Sequence, residues 1–264
     1  MDKGRPVQDL TAKDFIVLDE GRPQQVEFMD RDKSPIQLLI VLDVSGSMTR
    51  LLAEMGSAAQ HALAALDPQD EVGIMTFAGD SHEVLELTPD RRAATALLRE
   101  APMEKDRKAG TVIYGALLDA ARLFREQGKP TSRHAILIFT DNGSLSYRVT
   151  DEDVLRALSG ANIVLDAIVP PKAKPPKSIG VNSDFTPHNI FHIADASGGD
   201  VLAADKTAER FRELLERIRS RYSLLYKPPE AAPGTFRRIK VELSPDARRR
   251  YPKAAVQARA GYFL

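Results

Sequence analysis

Asp43, Ser45 and Ser47 alternate along Asp43-Val44-Ser45-Gly46-Ser47, which puts one carboxylate and two hydroxyls into a single turn of chain. Donors of that kind suit a hard cation. Mg²⁺ takes about six oxygens at roughly 2.0–2.1 Å and keeps several waters, so a few carboxylates and hydroxyls on rigid backbone hold it. The same residue types are favoured ahead of a helix, and the pentapeptide alone is equally consistent with capping of a helix that starts near Thr49. Two further oxygen-bearing positions bear on the choice. Thr111 lies in Gly110-Thr111-Val112-Ile113-Tyr114-Gly115, ahead of an amphipathic pattern, and Asp141 directly follows the buried run Ala135-Ile136-Leu137-Ile138-Phe139-Thr140.

The elements that must position these groups are read from hydrophobic patterning. Residues 36–42 form an aliphatic run short enough to be a strand covered on both faces, with Asp43 at its carboxyl end. Strands are expected at 72–77, 83–87, 135–139, 163–169 and 201–202, and helices at 51–66, 90–99, 113–126, 190–196 and 208–220. The short link before 83–87 makes that strand antiparallel. Alternation of strand and helix predicts an α/β fold with a doubly wound, mostly parallel, Rossmann-like sheet, whose ligands bind beyond the carboxyl ends of the strands. Asp43 and Asp141 both fall at that edge.

Outside residues 34–220 the pattern turns to short β segments at 14–18, 25–28, 222–226, 236–243 and 255–258, with a turn at 19–23. Two or three strands alone bury too little. Residues 1–33 and 221–264 are therefore expected to pair as one small β-sandwich where the chain enters and leaves the α/β domain. Residues 170–187 hold five prolines and three lysines and read as a long exposed loop on the face that carries Asp43.

The D-x-S-x-S run with a separate Thr and a separate Asp resembles the von Willebrand factor A domain family and its metal-ion-dependent adhesion site. The resemblance implies that Asp43, Ser45, Ser47, Thr111 and Asp141 hold Mg²⁺, or Mn²⁺ or Ca²⁺ in its place. One coordination position is then left for an Asp or Glu carboxylate of a protein partner. Where the family often has T-D-G, this chain has Thr140-Asp141-Asn142-Gly143. Asn tolerates unusual backbone dihedrals better than most residues, so a loop is expected to persist there, in a shape that the departure from T-D-G leaves open. The terminal stretches Leu10-Thr11-Ala12-Lys13-Asp14-Phe15 and Ala258-Arg259-Ala260-Gly261-Tyr262 resemble a branch of that superfamily, the VWFA-related proteins first noted in Acidobacteria, for which export to the cell envelope or beyond is usual.

Composition narrows the remaining classes. Lys plus Arg and Asp plus Glu both number 37, so no net field favours nucleic acid or anionic lipid. Cysteine is absent, which removes disulfides and thiolate metal sites and leaves the compartment open. The apolar runs are too short to insert in a membrane. Turn-forming residues 2–6 have no strand ahead of them, which predicts a strand and an export signal upstream in the natural chain, with a cytoplasmic start as the alternative. No G-x-G-x-x-G, G-x-x-x-x-G-K-[ST] or G-x-S-x-G occurs, and Ser45 stands where a phosphotransferase would need a second acid. His188 and His192 are four apart and are weighed as a second metal pair against ordinary structural residues. Asp151-Glu152-Asp153 reads as an acidic first helical turn, Asn142-Gly143-Ser144 as a turn rather than a glycosylation acceptor, and Arg248-Arg249-Arg250 as a solvated run. These features converge on a non-enzymatic, cation-dependent protein-binding module. The competing reading is a structural or assembly domain whose contacts ignore the metal. Partner identity and oligomeric state are not encoded legibly.

Overall fold

The computed structural model describes residues 1, 6–31, 34–101, 112–143, 145–176 and 185–264. The amino-terminal segment gives β1 (Phe15–Asp19), β2 (Arg22–Gln24) and β3 (Phe28–Asp30). The chain then enters β4 (Ile36–Asp43), α1 (Thr49–Leu63), β5 (Glu71–Phe77), β6 (Ser81–Thr88), α2 (Arg91–Glu100), α3 (Ile113–Gln127) and β7 (Arg133–Phe139). There follow β8 (Leu145–Tyr147), α4 (Asp151–Gly160), β9 (Ile163–Val169), β10 (Phe185–Pro187), α5 (Ile190–Ser197), β11 (Val201–Ala203) and α6 (Thr207–Arg219). The carboxyl-terminal segment supplies β12 (Ser223–Leu225), β13 (Phe236–Leu243), α7 (Pro245–Arg250) and β14 (Gly261–Phe263).

Six strands form the central sheet in the order β11-β9-β7-β4-β5-β6. All neighbours are parallel except β6, which runs antiparallel to β5 as its short connection requires. Every residue of β4 is buried, because helices cover both faces. On one side Leu52, Met55, Leu98, Phe211, Leu214 and Leu215 close over the sheet from α1, α2 and α6. On the other, Leu117, Phe124, Val154, Leu158 and Ile193 do so from α3, α4 and α5. Helix starts follow local chemistry: Asp90 accepts from the amides of Arg92 and Ala93, and Thr150 and Asp153 form a reciprocal capping box that opens α4 with the expected acidic turn.

Gly199 marks a close approach behind β9. A Cβ there would lie 1.9 Å from the Leu165 carbonyl oxygen, a backbone atom that cannot yield. Gly199→Ala is therefore expected to destabilise the protein by about 1–3 kcal/mol in chemical denaturation. A cost below about 0.5 kcal/mol, the range of an ordinary surface change, would contradict this packing.

The terminal segments pair with each other as expected. They build a four-stranded antiparallel sheet, β14-β13-β1-β2, and a separate ribbon of β3 with β12. Asp19, wholly buried, ties this unit together by accepting from Arg237 and from the hydroxyls of Tyr226 and Tyr262. Three local expectations are corrected. The hairpin turns at Glu20-Gly21, both with positive φ, so the second strand is Arg22–Gln24 and residues 25–27 lie outside any strand. Residues 255–258 form no strand, and β14 begins at Gly261. Arg248 and Arg250 are not merely solvated, since they donate to the Ala254 carbonyl and to the Asp14 carboxylate.

The expected loop at 170–187 is corrected at its end as well. Residues 185–187 are β10, which pairs antiparallel with β8, and residues 177–184 lie outside those described.

Candidate metal centre

Asp43 ends β4 beside β7, at the point where the strand order changes direction. Its carboxylate is held on both sides. Oδ1 accepts from the Ser45 amide at 3.0 Å and Oδ2 from the Thr140 hydroxyl at 2.9 Å. Ser45 immediately precedes, and Ser47 lies within, the short 3₁₀ turn Gly46–Met48 that leads into α1, and neither hydroxyl caps a helix. Instead the two Oγ atoms face each other at 3.1 Å. Adjacent ligands of an octahedral Mg²⁺ at roughly 2.0–2.1 Å are about 3 Å apart, so this spacing fits two neighbouring coordination positions. The capping alternative raised by the pentapeptide is not what the hydroxyls do.

Asp141 lies two residues beyond β7 at the same edge, partly open to solvent, with Oδ1 accepting from the Gly143 amide at 2.9 Å. Asn142 takes the left-handed conformation that its residue type tolerates, with φ of 61°. Its buried side chain accepts from the Ile190 amide at 2.8 Å and so ties the Asp141 loop to the start of α5. Thr111 is outside the described residues. The next residue, Val112, donates its amide to the Ala78 carbonyl at 2.9 Å, just past the carboxyl end of β5. Sequence patterning did not single out Thr140, although its place at the end of a buried run, one residue before Asp141, is the available signal.

The electrostatics at Asp43 set it apart. Among the described residues four aspartates have 0% exposure: Asp19, Asp43, Asp70 and Asp166. Asp19 faces Arg237, Asp70 faces Arg219 and Asp166 faces Arg221, each within 3.0 Å. Asp43 has no such ion pair among the described residues, and the like charge of Asp141 acts on it. Burial pushes its carboxyl above the usual range, hydrogen bonds from Ser45 and Thr140 oppose that, and repulsion from Asp141 adds to it. A buried carboxylate is normally matched by a cation. Two carboxylates and two hydroxyls at one sheet edge are oxygen donors of the kind a hard cation takes. No cluster of three or more His, Asp or Glu exists among the described residues, so hydroxyl donors are essential to any such site.

The two histidines do not form a second metal pair. His188 precedes α5 and is wholly buried, with Nε2 2.6 Å from the Ser146 hydroxyl and its ring 4.6 Å from that of Tyr114. His192 is half-exposed and lies 4.0 Å from Asp151. Burial lowers the His188 pKa to about 4, and its Nδ1 has no hydrogen-bond partner among the described residues. Below pH 6.5 the unfolded chain binds a proton that the folded chain refuses, so stability falls as pH drops from about 6.5 towards 4. The expected loss is about 3 kcal/mol across that window. Denaturation at pH 7 and 4.5 should show a smaller acid penalty for His188→Phe than for the parent, and equal penalties would refute the assignment.

Residues 38–144 match the family model of the von Willebrand factor type A domain. Its α/β fold is similar to that of an aerotolerance-related membrane protein from Bacteroides fragilis NCTC 9343 bearing multiple mutations to serines. That likeness has 22% identity and a TM-score of 0.53 over 69% of this chain and 98% of the other. A von Willebrand factor type A structure from Catenulispora acidiphila aligns at 19% identity and TM-score 0.54, over 83% of this chain and 52% of that one. Proximal thread matrix protein 1 from the mussel byssus, solved with a zinc-occupied MIDAS motif, aligns at 14% identity and TM-score 0.55, over 73% and 48%. At such identities the likeness concerns the fold. No curated protein matches the chain.

Proposed function

We propose that this protein is a divalent-cation-dependent protein-binding module. Asp43, Ser45, Ser47, Thr111 and Asp141 hold Mg²⁺, or Mn²⁺ or Ca²⁺, and an Asp or Glu carboxylate from a partner completes the coordination. The bound cation supplies the positive charge that the partner's carboxylate needs. The observation that carries this reading is Asp43, the one wholly buried aspartate among the described residues with no arginine opposite it. This chain's own residues do the rest: Thr140 and the Ser45 amide fix the carboxylate, and the 3₁₀ turn presents both hydroxyls outward.

The reading is one of capture rather than turnover. It extends to an exported protein at the cell envelope, supported by the fold shared with the aerotolerance-related membrane protein. Among the described residues no helix is long and apolar enough to cross a membrane. Calorimetric titration with Mg²⁺ and Mn²⁺, followed by binding to immobilised peptide arrays with and without an Asp or Glu, tests it. Carboxylate-dependent capture that EDTA abolishes is expected. Capture unchanged by EDTA would instead mark a structural or assembly domain.

A further inference from the structure

The end of the molecule remote from Asp43 holds a cavity of about 970 Å³. It lies between the terminal four-stranded sheet and the amino ends of β4 and β7, where Ile36 and Arg133 form part of its wall. On the sheet, Val17, Ile239, Val241 and Leu243 present one apolar face to it. Val17 and Leu243 are buried, yet Ile239 and Val241 at the centre of the same face are only partly so. Protein interiors are close-packed with few voids larger than a water. A space this large, apolar along one wall, falls instead in the roughly 300–1,000 Å³ range of small-molecule sites. Phe28 and Leu225, paired across the β3–β12 ribbon, also line it and leave 57% and 59% of their surface exposed.

The charged wall residues indicate which head group fits. Arg221 is matched by Asp166, Arg217 by Asp200 and Glu213, and Arg133 donates to the carbonyls of Arg219 and Arg221. Arg259 differs. Its partner is the neutral Asn162 Oδ1 at 2.6 Å, and it faces no carboxylate among the described residues. Burial holds its pKa below the usual guanidinium value, the mark of an uncompensated cation. An anionic group at the cavity wall would complete that pairing through the guanidinium fork.

A peptide strand is a poorer occupant. The open edges of the sheet are β2 and β14, so a strand that pairs with them leaves the face uncovered. One laid across the face would bury amides and carbonyls against Val17, Ile239 and Val241 with no partners. An acyl chain carries no such groups.

We propose that this cavity binds a free long-chain carboxylate, its acyl chain along Val17, Ile239 and Val241 and its head group at Arg259. The site is independent of the cation edge and would stand if that reading failed. The full chain, stripped of bound lipid, is titrated with 11-(dansylamino)undecanoate and then competed with dodecanoate and with dodecanol. Saturable binding at one site per chain is expected, with dodecanoate the better competitor. Arg259→Gln should weaken dodecanoate about tenfold or more and leave dodecanol unchanged. Val241→Trp, which fills the space, should remove binding of both while circular dichroism stays native. If that variant unfolds, Ile239→Phe serves in its place. No saturable binding to the parent protein, or equal loss of acid and alcohol in Arg259→Gln, would overturn the proposal. Displacement of the probe only by peptides would reassign the cavity to a polypeptide segment and overturn it equally.

Discussion

Asp43→Asn should erase Mg²⁺ binding while leaving the metal-free protein at least as stable as its parent. The amide keeps an acceptor for the Ser45 amide or the Thr140 hydroxyl but removes the buried charge that no arginine among the described residues offsets. In the parent protein the Asp43 carboxyl is raised by burial, so the folded metal-free chain binds a proton more tightly than the unfolded chain does. Stability from this group is accordingly present at low pH and is lost as pH rises through the shifted value. At neutral pH the parent carries that cost and the Asn variant does not. Saturating metal at one hundred times its dissociation constant should stabilise the parent by about 2.7 kcal/mol and the variant not at all. Differential scanning calorimetry at pH 7, with and without Mg²⁺, reads both effects. A variant that still gains stability from Mg²⁺, or that unfolds well below the metal-free parent, would show that Asp43 is a structural acid and not a ligand.

Arg221→Ala should produce the largest loss of stability, about 3–5 kcal/mol, because it strands the Asp166 carboxylate in the middle of β9. Arg221 reaches Asp166 with two nitrogens, at 2.9 and 2.6 Å, and does so from the segment between α6 and β12. The pair thus anchors the chain where it leaves the α/β layer. Replacing both partners at once, as in Asp166→Asn with Arg221→Met, should recover most of the loss, since the penalty belongs to the unmatched charge and not to the missing contact. Urea denaturation of the two single variants and the double variant gives the coupling energy directly. Simple additivity of the single losses would contradict the pairing.

Asp43 and Asp166 also show where sequence reading succeeds and where it stops. Both interrupt or end apolar runs that read as buried strands, and both strands are present at those places. The run at 36–42 is legible because continuous aliphatic residues leave only a doubly covered strand, and the acid at its end then falls at the ligand edge. What Asp166 does is invisible locally, because its partner lies 55 residues away. Thr140 is hidden for the same reason: it meets Asp43 across 97 residues. Asn142 is legible only in part: its residue type permits the left-handed turn after Asp141 without requiring it.

The terminal segments pair with each other, but two of their strands, Arg22–Gln24 and Gly261–Phe263, lie outside the bounds that patterning predicts. The actual turn, Glu20-Gly21, is the two-residue kind that fixes the hairpin, whereas the polar stretch around it spreads the turn signal over five residues. β8 and β10 were missed because each has three residues, too few for alternation to show. Thr111 was read from its motif, and its place falls among residues outside the described set.

Because β1 lies directly against β13, the first and last stretches of this polypeptide leave the α/β layer side by side, away from the edge that carries Asp43. Tension applied between the Asp43 edge and the terminal segments would therefore run lengthwise through the layer. In the terminal sheet β14 is held to β13 by three rungs and β1 to β13 by five, so β14 would peel first.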